Sequence, residues 1–194
     1  MFVKICGITN REDALAAVDA GAGALGFIFY DKSPRAVTPE QIEAFVNEIP
    51  KSVWRVGVFV NESPARIEEI GRRLSLDVAQ LHGAETPSHH PHGLRVWKAF
   101  RVTDGRIPDA GYRAHGPEAI LLDGPSTGNS FDWSIGAGFP GNLIVAGGLD
   151  ENNVREAVAA AHPWGVDVSS RLETSPGRKD HARMKKFIEA ALAS

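Results

Sequence analysis

"NLIVAGGLDENNVREAVAAAHPWGVDVSSR", residues 142–171, decides the fold. Asn142–Ala146 is a short apolar run that ends at the paired glycines Gly147 and Gly148. Asp150 stands where a helix cap would, and Val154, Ala157 and Val158 follow at helical spacing. A second run, Gly165–Ser169, closes the stretch. Strand, helix and strand in one short window form a βαβ unit, which makes the two strands parallel and lays a helix across one face.

The same alternation extends back to the first residues. Further strands are expected at Val3–Cys6, Ala24–Phe29, Trp54–Val60, Asp77–Leu81, Arg95–Phe100 and Ala119–Asp123. Successive strand starts usually lie about 20–25 residues apart, the length of one βα unit. "TNRE" (Thr9 to Glu12) predicts a capping box for the first helix, and "TPEQ" (Thr38 to Gln41) another with Pro39 at the first helical position. "NESPARIEEI" carries a Ser-Pro start before Ile67, Ile70 and Leu74, and Asp180 caps a last helix with Met184, Phe187 and Ile188 on one face. The fourth to sixth connections, among them "GAETPSHHPHG" and "GRIPDAGYRAHGPE", hold too many prolines and glycines for long helices.

Eight parallel strands with covered faces close most naturally into a (β/α)₈ TIM barrel, here trimmed below the usual ~250 residues, with some helices shortened. An open doubly wound sheet is the alternative. No GxGxxG follows the first strand, which argues against a dinucleotide-binding version. The 194 residues, 43% apolar and 23% charged, suit one catalytic domain over 1–194. The net charge of −3 marks neither a nucleic-acid nor an anionic-membrane binder. No run approaches the ~18 apolar residues of a membrane span, and "MFVKICGITN" lacks the apolar core of a signal peptide. One cysteine, Cys6, excludes an internal disulfide and suits a cytoplasmic protein.

In such a barrel the chemistry lies at the C-terminal strand ends. These are Cys6, Phe29, Val60, Gln80 with His82, Phe100, Asp123, Gly147 with Gly148, and Ser169 with Ser170. The seventh and eighth ends are where barrels frequently bind phosphate. Gly147 and Gly148 let backbone N–H groups approach an anion, Ser169 and Ser170 add donors, and "SPGRKD" is expected to open a short helix aimed at the same place. Singly, these residues would only shape and cap turns. Asp123, closing the buried run "AILLD", and Cys6, closing strand one, face each other across the mouth and suit one acid and one base. Arg35 matches a carboxylate through its guanidinium fork, and His82 sits where it can stack on or bond a ring. His89, His90 and His92 crowd "SHHPHG" but lack partners at ligand spacing, so no metal is expected.

"KICGIT", "GALGFIFYDKSPRAV", "VGVFVN", "QLHG", "LLD" with "FDW", "VAGGL" and "GVDVSSRLETSPGRKD" follow one another as in a known family. Across nearly its whole length the chain resembles the phosphoribosylanthranilate isomerases of tryptophan biosynthesis. The resemblance implies a cofactor-free barrel that performs an Amadori rearrangement on a phosphosugar. It implies Cys6 as general base, Asp123 as general acid, Arg35 at the substrate carboxylate and His82 beside the substrate. Gly147, Gly148, Ser169 and Ser170 then bind phosphate, Asp167 has a secondary part, and the chain is expected to be a monomer. Two segments depart from the family. Arg171 stands where a glycine is usual, and a left-handed backbone there would strain it. The sixth loop, Gly124–Ser130, is short and poor in glycine. The histidine-pathway isomerase, with aspartate in place of Cys6, and a non-catalytic sugar-phosphate binder are the alternatives.

Overall fold

A computed structural model describes residues 1–103, 105–107, 116–125 and 130–194. Eight parallel strands close a barrel in sequential order. They are β1 (Phe2–Cys6), β2 (Ala24–Ile28), β3 (Trp54–Phe59), β4 (Val78–Leu81), β5 (Arg95–Arg101), β6 (Ala119–Asp123), β7 (Asn142–Val145) and β8 (Gly165–Val168). Each lies on its expected segment, so the closed form holds and the open sheet does not. The ring is sealed by β1 against β8, where Lys4 pairs in register with Asp167.

The outer layer is α1 (Arg11–Asp19), α2 (Pro39–Glu43), α3 (Pro64–Leu74), α4 (Val154–Ala161) and α5 (His181–Leu192). The α2 capping box forms as read, with Thr38 and Gln41 bonding each other's backbone N–H. Ser63 caps α3, whose Ile67, Ile70 and Leu74 are buried. Each such side chain contributes about 1.5–3 kcal/mol when fully buried. Asp180 caps α5 through the Arg183 N–H.

Two caps fall elsewhere. Asn10, not Thr9, caps α1, because the Thr9 hydroxyl is taken by the Gly177 carbonyl at 2.6 Å. Asp150 does not cap α4: its carboxylate accepts the Asn152 N–H in the preceding turn, and Asn153 is the residue before the helix. Among the described residues after β4 and β6, short 3₁₀ turns, Pro87–His89 and Trp133–Gly136, stand in place of helices. Of "GRIPDAGYRAHGPE", residues 108–115 lie outside the described residues, as do 126–129 of the sixth loop.

"SPGRKD" does not open a helix. It turns a hairpin, β9 (Glu173–Ser175) against β10 (Arg178–Lys179). Pro176-Gly177 is as good a turn pair as a helix start, and Gly177 takes the positive φ (79°) that a type II turn demands. The short helix at this end is instead a 3₁₀ turn at Ser170–Leu172, and Arg171 rides in it. Among the described residues only Asn61, Ser75 and His162 have positive φ without being glycine, so Arg171 is not strained.

Along each strand, alternate residues face the helices or the barrel axis. Val3 and Ile5 join the outer core, whereas Ala24, Val56, Val78, Trp97, Ala99, Leu121 and Ile144 fill the interior. The N-terminal end is plugged by aromatics. Phe2 packs on Trp54, Trp97 and Trp164 at centroid distances of 5.7, 5.5 and 4.8 Å. Polar interior residues are confined to the other end.

Candidate active site

The C-terminal mouth holds a cavity of about 630 Å³. Cys6, Arg35, His82, Asp123, Gly147, Gly148, Asp167, Ser169 and Ser170 all line it, so one pocket collects these nine residues singled out in the sequence. Arg171 is exposed in the adjoining turn.

Cys6 ends β1 and is buried, with 6% exposure. Burial pushes its thiol pKa up; the Lys4 charge pulls it back, Asp167 opposes that, and Lys179 helps it. Gly26 is its register partner on β2. A Cβ there would lie 2.9 Å from Cys6 Sγ and 3.1 Å from Lys4 Cε, so glycine is what lets both side chains cross β2.

Asp123 ends β6 on the other side of the mouth. Its Oδ1 accepts the Gly124 N–H at 2.9 Å, and Oδ2 lies 3.3 Å from His82 Nε2. Gln80 Nε2 meets His82 Nδ1 at 3.2 Å. An amide N–H donating to Nδ1 leaves the histidine proton on Nε2, toward Asp123. His82 therefore bonds the acid candidate as well as lining the space for a ring.

The phosphate candidates form one wall. Gly147 and Gly148 both have positive φ, 79° and 68°, a conformation costly for any residue with a Cβ. Asn153 braces this loop, donating to the Gly148 carbonyl and accepting from the Asp150 N–H. The Ser169 hydroxyl is buried without a hydrogen-bond partner among the described residues, a donor held ready in a polar site. Gly7, at φ 74°, lets Arg35 and Ser169 close over it, since a Cβ would meet Arg35 Cδ at 2.7 Å and Ser169 Oγ at 2.9 Å.

Arg35 lines the cavity, yet its fork is engaged within the protein. Nε and Nη2 donate to the Glu173 carboxylate at 2.8 and 2.6 Å. Lys179 Nζ donates to the same carboxylate at 2.8 Å and to the Ser169 carbonyl at 3.3 Å. Burial raises the Glu173 pKa, but these two cations hold it below the usual carboxylate range.

Sequence reasoning missed Lys4, Glu173 and Lys179. Lys4 carried a signal, a charge two residues before Cys6 inside an apolar run. Glu173 and Lys179 carried none, because only the hairpin brings them to Arg35. Among the described residues no three or more His, Cys, Asp or Glu side chains are grouped to hold a metal. His89 instead closes the turn that Thr86 begins. No described helix is long and apolar enough to cross a membrane.

Comparison with known proteins places the chain in a family. Residues 3–190 match the family model of N-(5'-phosphoribosyl)anthranilate (PRA) isomerase. The isomerase of that name from Solibacter usitatus is 53% identical over 200 residues, spanning 100% of this chain and 98% of its own. The crystal structure of phosphoribosyl anthranilate isomerase from Thermotoga maritima superposes with a TM-score of 0.91 at 42% identity, each chain fully covered. A phosphoribosyl anthranilate isomerase crystallised with reduced 1-(o-carboxyphenylamino)-1-deoxyribulose 5-phosphate gives 0.88 at 41% identity, again with both chains covered in full. The chain is an enzyme of tryptophan biosynthesis and belongs to the N-(5'-phosphoribosyl)anthranilate isomerase family.

Proposed function

We propose that this cavity converts N-(5'-phosphoribosyl)anthranilate to 1-(2-carboxyphenylamino)-1-deoxyribulose 5-phosphate, with Asp123 as general acid and Cys6 as general base. Asp123 protonates the furanose ring oxygen, and the ring opens to a protonated Schiff base. The Cys6 thiolate removes the C2' proton; the C–H electron pair becomes the C1'–C2' double bond, and the iminium π pair goes to nitrogen. The enolamine so formed tautomerises to the ketone. The iminium is the electron sink, so the steps draw on no cofactor. Each proton transfer is worth roughly 10²–10⁴-fold.

One observation carries the reading: a thiol and a carboxyl line opposite sides of a cavity whose third wall is the Gly147–Gly148 and Ser169–Ser170 loops. Those loops would hold the phosphate, which positions the sugar and supplies binding energy. Arg35 would take the anthranilate carboxylate with the donors that Glu173 leaves over. His82 would hold Asp123 in place beside the aromatic ring. All these groups come from one chain, so the chemistry needs no second copy. Asp167 would act through Lys4 rather than on substrate.

The test is loss of anthranilate fluorescence from the substrate on addition of purified protein. Turnover by the wild type that falls away in both Cys6→Ser and Asp123→Asn, with substrate affinity kept, supports the assignment. Wild-type turnover in either variant removes that residue from its role. Binding without turnover in the wild type would instead favour a sugar-phosphate-binding protein.

A further inference from the structure

A thiol is a weak base while protonated, and burial makes it weaker. Something must offset the surroundings of Cys6. Four charged groups act on it. Lys4 lies on its own strand, Asp167 on β8, Lys179 on β10 and Arg35 in the loop after β2. Lys179 bonds Glu173 and the Ser169 carbonyl, and Arg35 turns its Nε and Nη2 to Glu173. Of the other titratable groups that line the mouth, Asp123 and His82 act on Asp167, and Tyr30 and Arg101 stand beside them on the cavity wall.

Lys4 differs from the other cations. It sits two residues before Cys6, so both side chains leave the same face of β1 toward the barrel interior. Its ammonium is wholly buried and donates to Asp167 Oδ1 at 2.9 Å. Both Lys4 and Cys6 run over Gly26, within about van der Waals reach of where its side chain would be. Burial pulls the Lys4 pKa down, but Asp167 and Cys6 raise it above its ordinary value, so the ammonium stays charged. Asp167 is Lys4's register partner, which fixes where that charge points.

We propose that Lys4 is a positioning residue for the reaction: its buried ammonium, aimed by Asp167, is the cation against which the Cys6 thiolate forms. The proposal rests on Cys6 being the base. Lys4 does not touch the substrate. Asp167 aligns the ammonium and at the same time competes with the thiolate for it. The two members of the pair therefore act on Cys6 with opposite sign, and the pH profile of turnover should follow both.

Cys6 is the only cysteine in the chain, so its ionisation is readable without turnover. The experiment is titration of the thiolate's ultraviolet absorbance, with Cys6→Ser as the blank, beside a pH profile of kcat. Lys4→Met is expected to raise the thiol midpoint by about one pH unit or more, and Asp167→Asn to lower it. The rising limb of the kcat profile should move with each midpoint. Should Lys4→Met fail to fold with Asp167 left unpaired, the double variant Lys4→Met/Asp167→Asn replaces it. Its midpoint should lie about one unit or more above that of Asp167→Asn. A midpoint that Lys4→Met leaves unmoved, or two single variants that shift the same way, overturns the role of Lys4 and leaves Cys6 as base. A midpoint that moves while the kcat profile stays still upholds the Lys4–Cys6 coupling and overturns the base reading beneath it.

Discussion

Two of the buried lysine–carboxylate pairs invite comparison, Lys4–Asp167 at 2.9 Å and Lys98–Glu85 at 2.8 Å. Both ammonium groups are shut off from solvent. Lys98 leaves β5 on the outer face, between Trp97 and Ala99, which point inward. It donates to the Leu81 and Gly83 carbonyls as well as to Glu85. Glu85 in turn accepts the N–H groups of Asn61 and Gly83. The outer pair thus returns its polarity to backbone and pins the loop that carries His82. Lys4 points inward instead. Asp167 is its oxygen acceptor among the described residues, and a thiol stands over it. A buried ion pair is weak evidence for net stability, because desolvation consumes most of the attraction. The two pairs differ in which face of the strand carries them: the outward one fastens a loop, and the inward one, on our proposal, sets the charge around the Cys6 thiol.

The sharpest way to break this contrast is to remove the group above the inner pair. Cys6→Ser is expected to cut kcat by roughly 10²–10⁴-fold while leaving the melting temperature and KM nearly unchanged. Steady-state kinetics beside thermal melting checks this, and turnover near wild type would detach the inner pair from the chemistry. The counterpart at the outer pair is Lys98→Met. Removing one partner of a buried pair should cost about 3 kcal/mol or more. That lowers the melting temperature by roughly 6–12 °C for a chain of this length, with the kcat of the folded enzyme kept. A collapse of kcat with unchanged melting would make the two pairs alike in kind.

The contrast also explains what could be read from the sequence. All eight barrel strands were legible, because each is a local apolar run, most of them set off by a helix start or by prolines and glycines, and parallel strands of that number close. Cys6, Asp123 and the Gly147–Gly148 pair were legible as strand ends, since a barrel gathers its strand ends at one mouth. Lys4 was passed over because a lysine in an apolar run looks like an exposed edge residue, and burial is a property of the closed ring. The clasp of Arg35, Glu173 and Lys179 was not legible at all. It joins residues 138 positions apart, through a hairpin whose Pro176-Gly177 turn reads equally well as the start of a helix. Thr9 and Asp150 failed as helix caps for a related reason: a side-chain oxygen bonds whatever donor or acceptor the tertiary structure brings nearest.

That clasp lies between the two pairs in character, being half structural and half on the cavity wall. Arg35→Ala should raise KM by roughly 10- to 100-fold, the worth of a charge-assisted bond to a carboxylate, with a smaller effect on kcat. Part of this is indirect, since losing Arg35 leaves Glu173 to Lys179 alone and loosens the hairpin beside Ser169. Substrate titration on an analogue lacking the carboxylate separates the two. If Arg35 touches the carboxylate, the analogue binds both forms equally; if Arg35 only braces the hairpin, the analogue loses affinity as the substrate does. An unchanged KM for the true substrate would place Arg35 with the outer pair.

The smallest effect concerns acid. The Glu85 pKa is raised by burial but lowered more by Lys98 and the Asn61 N–H, and it ends below the usual carboxylate value. A group whose folded pKa is depressed stabilises the fold fully above its unfolded pKa, about 4.3 for glutamate, and loses that contribution as pH falls through the lower folded value. Glu85→Gln, which removes the charge and keeps the shape, should therefore destabilise by about 1–2 kcal/mol at pH ~7. The gap to wild type should narrow below pH ~4 and close once Glu85 is itself protonated. Urea unfolding across that range measures it. A gap that stays constant with pH would mean that Glu85 works through packing alone, and the outer pair would then owe nothing to its charge.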